Sequence, residues 1–135
     1  MVPRFNTRMS RTSNADARTR ADIEPILKEI VEVLVRDYQP ELIILYGSYA
    51  SGTPTRHSDI DLFIVKETPL RWVDRFVEVK ELIYRPGRNI SVQPLIYTPD
   101  EFQERLSIGD SFVREVSTRG IRLYGRIARP AEDTI

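Results

Sequence analysis

The sequence predicts one small domain of the α/β or α+β class, in which helices cover a sheet. The chain has 135 residues, of which 41% are hydrophobic and 30% charged, the usual balance of a globular domain. Apolar residues recur at helical spacing in some segments, and in others they alternate or form short runs typical of strands. The segments follow in the order helix, strand, loop, strand, helix, strand, helix, helix, strand. That order favours a sheet with helices packed against it.

The first predicted helix leads directly into the first predicted strand. Asp22 is expected to be the N-cap of the helix, with Pro25 in its first turn and Pro40 just beyond its end. The run 41–46 is apolar and rich in β-branched residues, so it predicts a buried strand that ends at Gly47. The apolar positions of the helix are Ile23, Ile26, Leu27, Ile30, Val31 and Leu34.

The middle of the chain predicts a helix followed by a strand. Residues 89–97 alternate as a strand does, and Pro94 indicates an edge position or a bulge, because proline cannot donate a ladder hydrogen bond. The helix is predicted over residues 69–84, with the apolar positions Leu70, Val73, Phe76, Val77, Leu82 and Ile83.

The last part of the domain begins with a clear helix start. Thr98 is expected to be an N-cap, with Pro99 at the first helical position and Glu101 completing a capping box. This helix carries Phe102 and Leu106. A further helix is predicted over 110–117, with Phe112, Val113 and Val116 on its apolar face and Gly120 at its end, before a short strand over 121–124.

The remaining residues are expected to lie outside the folded unit. Residues 1–20 contain several arginines and little apolar material, so we expect a disordered basic tail before the domain of residues 21–125. Residues 126–135 are expected to fray. A domain of this size has no room for a separate recognition domain, so we expect it to act together with a partner.

The composition excludes several classes of site. The chain has no cysteine, which excludes disulfides, thiolate metal sites and a cysteine nucleophile, and is typical of a reducing cytoplasm. It has one histidine, His57, so neither a histidine-based triad nor a zinc site can form within one subunit. The formal net charge is zero, and no apolar run approaches the roughly 20 residues of a membrane helix. We therefore expect no membrane partner, and little attraction to nucleic acid.

One pattern of residues carries the chemistry. Gly47 and Ser48 end the first strand, where glycine allows close approach of a ligand and the following amides, with the hydroxyl, can bind a phosphate. Ten residues later, Asp59 and Asp61 alternate with Ile60 in a strand, so both carboxylates lie on one face. Two such carboxylates favour a hard cation, of which Mg²⁺ bridging substrate phosphates fits best. A bare Asp-x-Asp is more typical of a solvent-facing edge strand than of a site, but its spacing from Gly-Ser favours the site.

The segment between the two halves of this pattern is predicted to be a loop, because it contains Gly52 and Pro54. It can fold over bound phosphates. Arg56 is then a candidate nucleotide-binding cation, although a solvated loop residue is an equal alternative. His57 is not expected to act as a base.

These residues resemble the minimal nucleotidyltransferase family of the DNA polymerase β superfamily, whose signature is Gly-Ser, ten residues, Asp-x-Asp. The resemblance covers residues 22–125 and includes Tyr97-Thr98-Pro99-Asp100-Glu101-Phe102. It implies a mixed sheet flanked by helices and transfer of a nucleoside monophosphate, AMP from ATP being the expected case. It also implies that Asp59 and Asp61 are catalytic and hold one or two Mg²⁺ ions. Gly47 and Ser48 would hold the phosphates.

The third carboxylate of the family falls at Gln93, counted back from Tyr97-Thr98-Pro99. A glutamine carbonyl can coordinate a metal weakly, but it has no negative charge and cannot act as a base. The glutamine at position 93 therefore argues against efficient turnover but not against binding of nucleotide or metal.

Three functions remain open from the sequence. Small members of the family are often antitoxins paired with a HEPN-type toxin, so the first is a nucleotidyltransferase that modifies such a partner. The second is a catalytically weakened module that binds nucleotide and metal and neutralises its partner by contact. The third, with the weakest support, is a nucleic-acid-binding domain that uses the arginines of residues 1–20.

Overall fold

The computed structural model describes residues 18–126, which form one small domain. Within these residues it contains five helices and four strands. In chain order they are α1 (Arg20–Asp37), β1 (Leu42–Tyr46), α2 (Ser48–Ser51), β2 (Ile60–Val65), α3 (Trp72–Ile83), β3 (Val92–Tyr97), α4 (Pro99–Ser107), α5 (Ser111–Arg119) and β4 (Ile121–Gly125). The predicted class and order of elements are confirmed, except that the short helix α2 occupies the start of the segment predicted as a loop.

The strands form one mixed sheet in the order β3-β2-β1-β4. β1 runs antiparallel to β2 and β4, whereas β2 and β3 are parallel. Parallel neighbours need a crossover, and α3 provides it. Pro94 lies in β3 at one edge of the sheet, which confirms its predicted edge position.

The two faces of the sheet bury different cores. Ile60, Leu62 and Ile64 pack on one face among residues of α1 and α3. Phe63 and Val65 project from the other face into a second cluster, formed mainly with α4 and α5. This alternation confirms the face predicted for β2, in which Asp61 shares a side with Phe63.

The N-terminus of α1 differs from the prediction. The N-cap is Thr19, whose hydroxyl accepts a hydrogen bond from the amide of Asp22, while the Asp22 carboxylate accepts one from the amide of Thr19. Asp22 is therefore the third helical residue of a capping box and not the cap itself. Pro25 consequently lies beyond the first turn, inside the helix.

The helix α3 begins three residues later than predicted and buries a different face. Its buried residues are Arg75, Val79 and Ile83, whereas Val73 is 60% exposed and Val77 46% exposed. The predicted apolar face was therefore wrong at Val73 and Val77. Arg75 occupies the buried position because its guanidinium bonds to carbonyl and carboxylate oxygens of neighbouring elements.

The C-terminal elements follow the prediction closely. Thr98 caps α4 and forms the predicted capping box with Glu101. Asp110 caps α5, which continues to Arg119, two residues beyond the predicted end. The tails predicted at residues 1–20 and 126–135 lie almost wholly outside the described residues and stay predictions. None of the helices within 18–126 is long and apolar enough to cross a membrane.

Candidate active site

The turn and the carboxylates predicted from the sequence lie against each other. β1 ends at Tyr46, which pairs with Asp61 near the start of the antiparallel strand β2. Gly47 follows with φ +79°, and a Cβ atom at this position would overlap the Oδ2 atom of Asp61. Only glycine accepts this backbone conformation without strain and leaves room for the carboxylate. The Gly-Ser turn and the Asp-x-Asp strand therefore form one site.

Ser58 holds the two halves of the site together. The hydroxyl of Ser48 donates a hydrogen bond to Ser58 Oγ at 2.9 Å, and the amide of Thr55 donates to the same oxygen at 2.8 Å. Ser58 directly precedes Asp59, so the loop is fixed at the point where it enters the carboxylate pair. Sequence reasoning placed Ser58 in the loop but gave it no role.

Asp61 lies in a partly desolvated position. Burial raises the pKa of Asp61 above its ordinary value, and the nearby Asp59 carboxylate raises it further. Burial, and then the Asp61 charge, raise the pKa of the adjacent Tyr46 to about 12. The ring of Phe112 packs edge-on against Tyr46 with the centroids 5.5 Å apart. Tyr46 is therefore the aromatic neighbour of Asp61, and in partly desolvated surroundings charge interactions are strong.

Gln93 occupies the position beside Asp61 on the neighbouring strand. In the parallel ladder of β2 and β3, Asp61 pairs directly with Gln93. The Nε2 atom of Gln93 donates a hydrogen bond to Ser91 Oγ at 2.8 Å. A neutral amide, and not a carboxylate, therefore lies next to the paired aspartates.

The loop between α2 and β2 carries the other two residues considered in the sequence. Arg56 and His57 are both exposed, in a turn just before Ser58. The amide of His57 donates a hydrogen bond to Thr55 Oγ1 at 3.2 Å. A role for Arg56 in nucleotide binding stays a prediction.

Comparison with known proteins identifies the family of this chain. A model of the family described as "Polymerase beta, Nucleotidyltransferase" matches residues 28–126. The chain belongs to this nucleotidyltransferase family. The family resemblance predicted from Gly47-Ser48 and Asp59-Ile60-Asp61 is thereby confirmed.

Two relatives of this nucleotidyltransferase come from Methanocaldococcus jannaschii, and both are named "putative protein adenylyltransferase". One is 40% identical over 81 residues, or 55% of this chain and 54% of the relative, so the match spans about half the length of that protein. The other is 31% identical over 103 residues, which cover 75% of this chain and 97% of the relative. A crystal structure of a "putative nucleotidyltransferase" from Sulfolobus solfataricus superposes with a TM-score of 0.56 at 22% identity, covering 79% of this chain and 84% of that one. This structure shows that the two chains share a fold.

The side-chain oxygens at the candidate site of this nucleotidyltransferase suit a hard cation that is also bound by oxygen atoms of the substrate. No group of three or more His, Cys, Asp or Glu side chains able to hold a metal occurs within residues 18–126. Asp59 and Asp61 are nevertheless close enough for one to raise the pKa of the other, and a cation between them would relieve that repulsion. Mg²⁺ is commonly held by one or two carboxylates together with phosphate oxygens. The residues present therefore fit such an ion, with Gln93 as a neutral neighbour.

A cavity of about 420 Å³ opens beside the Gly-Ser turn, between α2 and α5. It brings Phe112, Glu115 and Arg119 of α5 next to Gly47 and Ser48. The helical spacing of α5 was visible in the sequence, but its position over the turn depends on long-range packing. No local pattern identified Glu115 or Arg119 as neighbours of the site.

Proposed function

We propose that this nucleotidyltransferase transfers AMP from ATP to a hydroxyl group of a partner protein, with Mg²⁺ as the cofactor. The observation that carries the proposal is the contact between Gly47 and Asp61, which brings a phosphate-binding turn against a carboxylate pair. An isolated acidic strand edge would need no such turn. The cavity between α2 and α5 offers space for the rest of the nucleotide.

In the proposed reaction, the acceptor oxygen forms a bond to the α-phosphorus of ATP. The bond between that phosphorus and the oxygen bridging to the β-phosphate breaks, and pyrophosphate leaves. Gly47 and Ser48 hold the β- and γ-phosphates through the first amides of α2, which have no acceptor within the helix, and through the Ser48 hydroxyl. Asp59 and Asp61 would hold the divalent cation, which would neutralise charge on the triphosphate. Tyr46, which pairs with Asp61 across β1 and β2, helps to keep water away from one side of that carboxylate.

The acceptor's hydroxyl proton has no carboxylate at position 93 to receive it. Gln93 lies where such a base would be in register with Asp61, but an amide cannot take a proton at neutral pH. The proton therefore passes to solvent or to a group of the acceptor protein. Turnover is expected to be slow.

A protein acceptor is supported by the names of the relatives and by the family resemblance. Both relatives from Methanocaldococcus jannaschii are named as protein adenylyltransferases. The resemblance to antitoxins of HEPN-type pairs makes a HEPN-like toxin the proposed acceptor.

Label transfer tests the proposed reaction. The chain is incubated with Mg²⁺, the protein encoded beside it, and ATP labelled either at the α- or at the γ-phosphate. AMP transfer labels the partner from α-labelled ATP only, whereas phosphorylation would label it from γ-labelled ATP. The D59N/D61N variant is the control, and equal labelling by this variant would exclude the proposed site.

A second function is favoured by Gln93. A weakened active site that still binds nucleotide could neutralise its partner by direct contact, without turnover. In that case the D59N/D61N variant would protect cells from the partner as well as the unaltered chain does. Loss of protection in this variant would rule out the contact mechanism.

A further inference from the structure

The helix α3 has apolar side chains on its solvent face as well as on its buried face. Val73 is 60% exposed and Val77 46% exposed, and residues four apart lie in one row along a helix. Tyr84, directly after the helix and seven residues beyond Val77, extends the same row and is also exposed. A helix that is apolar on both sides is typical of one that is covered on both sides. We call Val73, Val77 and Tyr84 the outer row.

Acidic residues flank the outer row on one side. Asp74, Glu78 and Glu81 follow at spacings of four and three, so they form a second exposed row along the helix. Asp74 lies 3.9 Å from the Nε atom of Arg71. Glu78 and Glu81 form no ion pair with any residue of the segment 18–126. This acidic charge is therefore largely unbalanced within the domain.

The other flank of the outer row has a different character. It contains Phe76 and Lys80, and the Lys80 ammonium donates a hydrogen bond to the carbonyl of Val92 at 2.8 Å while lying over the Phe76 ring. Lys80 is thus engaged by the domain itself. The exposed face of α3 combines an apolar row with a single acidic border.

We propose that this face binds an amphipathic helix of another protein, whose apolar side contacts Val73 and Val77 and whose Lys or Arg residues meet Glu78 and Glu81. Complementary charge selects such a partner and excludes acidic ones. A helix laid on an apolar row is a common mode of recognition. The inference concerns binding only and does not rest on the proposed transfer reaction.

The same charges argue against a second copy of this chain as the occupant. In an antiparallel two-fold pair of α3 helices, each flank faces the same flank of the other copy, so Asp74, Glu78 and Glu81 would face one another. Like charges so placed are destabilising. A parallel pair would bring the acids toward Lys80, whose ammonium already bonds to Val92.

Binding of two synthetic peptides to the full chain tests this proposal. Both peptides are helices of about 18 residues with the same leucine row, one flanked by lysine and the other by glutamate. Trp72 is the only tryptophan of the chain, is 44% exposed and packs on Tyr97 at the start of α3, directly before Val73, so its emission reports changes near the N-terminal end of the outer row. We expect the lysine peptide to bind at least about tenfold more tightly than the glutamate peptide and to shift Trp72 emission to shorter wavelength.

Three variants distinguish the apolar from the charged contribution. V73Q/V77Q is expected to weaken binding of the lysine peptide by about tenfold or more, and E78Q/E81Q to remove most of the preference between the peptides. I108Q is the matched control, because Ile108 is 64% exposed at the end of α4, away from this face. Circular dichroism confirms that the variants remain folded. Equal binding of both peptides, or binding unaffected by V73Q/V77Q, would overturn the proposal.

Two other occupants would be revealed by the same variants without peptide. A dimer in sedimentation that V73Q/V77Q converts to a monomer would show that a second copy covers the face. A shift of Trp72 emission to longer wavelength in R4Q/R8Q/R11Q would show that the chain's own N-terminal segment covers it. Either result would overturn the assignment to another protein's helix.

Discussion

Gly47 offers the most direct test of the contact between turn and carboxylates. In Gly47→Ala, the added methyl group would meet Asp61 Oδ2, and the backbone would keep φ at +79°. We expect a loss of about 1–3 kcal/mol in the free energy of unfolding and at least about tenfold weaker binding of ATP with Mg²⁺. Urea denaturation and calorimetric titration measure the two effects.

Gly52→Ala is the matched control. Gly52 has nearly the same φ, +81°, but no atom lies within 4 Å of an added Cβ. This variant shares the backbone strain and lacks the contact with Asp61, so it should lose stability without a comparable loss of nucleotide affinity. Equal loss of affinity in both variants would mean that the contact has no part in binding.

Gln93 allows a test of what limits turnover. Gln93→Asp would place a carboxylate in register with Asp61, where it can accept a proton and add a metal ligand. We expect AMP transfer to become faster by about 10²-fold. The control is Gln93→Asn, which has the length of aspartate without its charge. A similar rate in both variants, measured by label transfer, would show that the missing carboxylate is not limiting.

The residues of the site could be predicted only where their spacing along the chain is informative. Gly47, Ser48, Asp59 and Asp61 were predicted as site residues because a turn and a strand with this chemistry follow at a fixed distance, and the structure brings the turn against Asp61. Tyr46 and Phe112 were seen only as apolar positions, since their contact depends on how α5 packs over the end of β1. Such contacts require the tertiary structure.

At the scale of elements, local signals predicted the starts of α4 and α5 but not those of α1 and α3, and they predicted the buried face of α3 poorly. Thr98 was identified from its capping box with Glu101, and Thr19 could have been found by the same spacing to Asp22. The buried face of α3 could not be predicted in this way, because the helix has apolar residues on its exposed side as well as on its buried side. Periodicity therefore did not distinguish Val79 from Val73, and hydrophobicity argued against burying Arg75.

The buried Arg75 is expected to contribute strongly to stability by joining three elements. Its guanidinium donates to both carboxylate oxygens of Glu101 in α4, at 2.8 and 3.2 Å, and to the carbonyl of Ile96 in β3 at 3.2 Å. Arg75→Met would leave these acceptors without their partner. We expect a loss of about 2–4 kcal/mol in the free energy of unfolding, measured by urea denaturation.

Arg71→Met is the control for this element. Arg71 is at the N-cap of the same helix and 87% of its side chain is exposed, with Asp74 3.9 Å away. An exposed ion pair of this kind contributes less than about 1 kcal/mol. If both substitutions cost the same, the buried network would not be the source of the stability.

At the scale of the whole molecule, the site results from the strand order. The antiparallel pairing of β1 and β2 brings the end of β1 to the start of β2, and the parallel pairing of β2 and β3 adds the start of β3. Tyr46, Asp61 and Gln93 therefore lie side by side on three strands. The sequence predicted the elements in order, but strand order depends on long-range pairing that no local pattern encodes.

Because the site is part of the sheet, its charge affects the stability of the whole domain. Burial raises the pKa of Asp61, so between the unfolded and the folded pKa the folded state binds more protons than the unfolded chain. Stability from this group is therefore lost as pH rises through that window. In EDTA at pH 7, Asp61→Asn is expected to raise the free energy of unfolding, and the difference should vanish below the ordinary aspartate pKa of about 4.

Mg²⁺ should reverse this order of stability, because a cation that binds only the folded state offsets the repulsion between Asp59 and Asp61. At ten times its dissociation constant, Mg²⁺ is expected to stabilise the unaltered chain by about 1.4 kcal/mol and Asp61→Asn by much less. Denaturation curves of both proteins in EDTA and in Mg²⁺, at pH 7 and at pH 4, compare their stability under these four conditions. At pH 4 the benefit of Mg²⁺ should shrink, since protons compete for Asp61. Equal stabilisation of both proteins at pH 7 would place the ion away from the carboxylate pair.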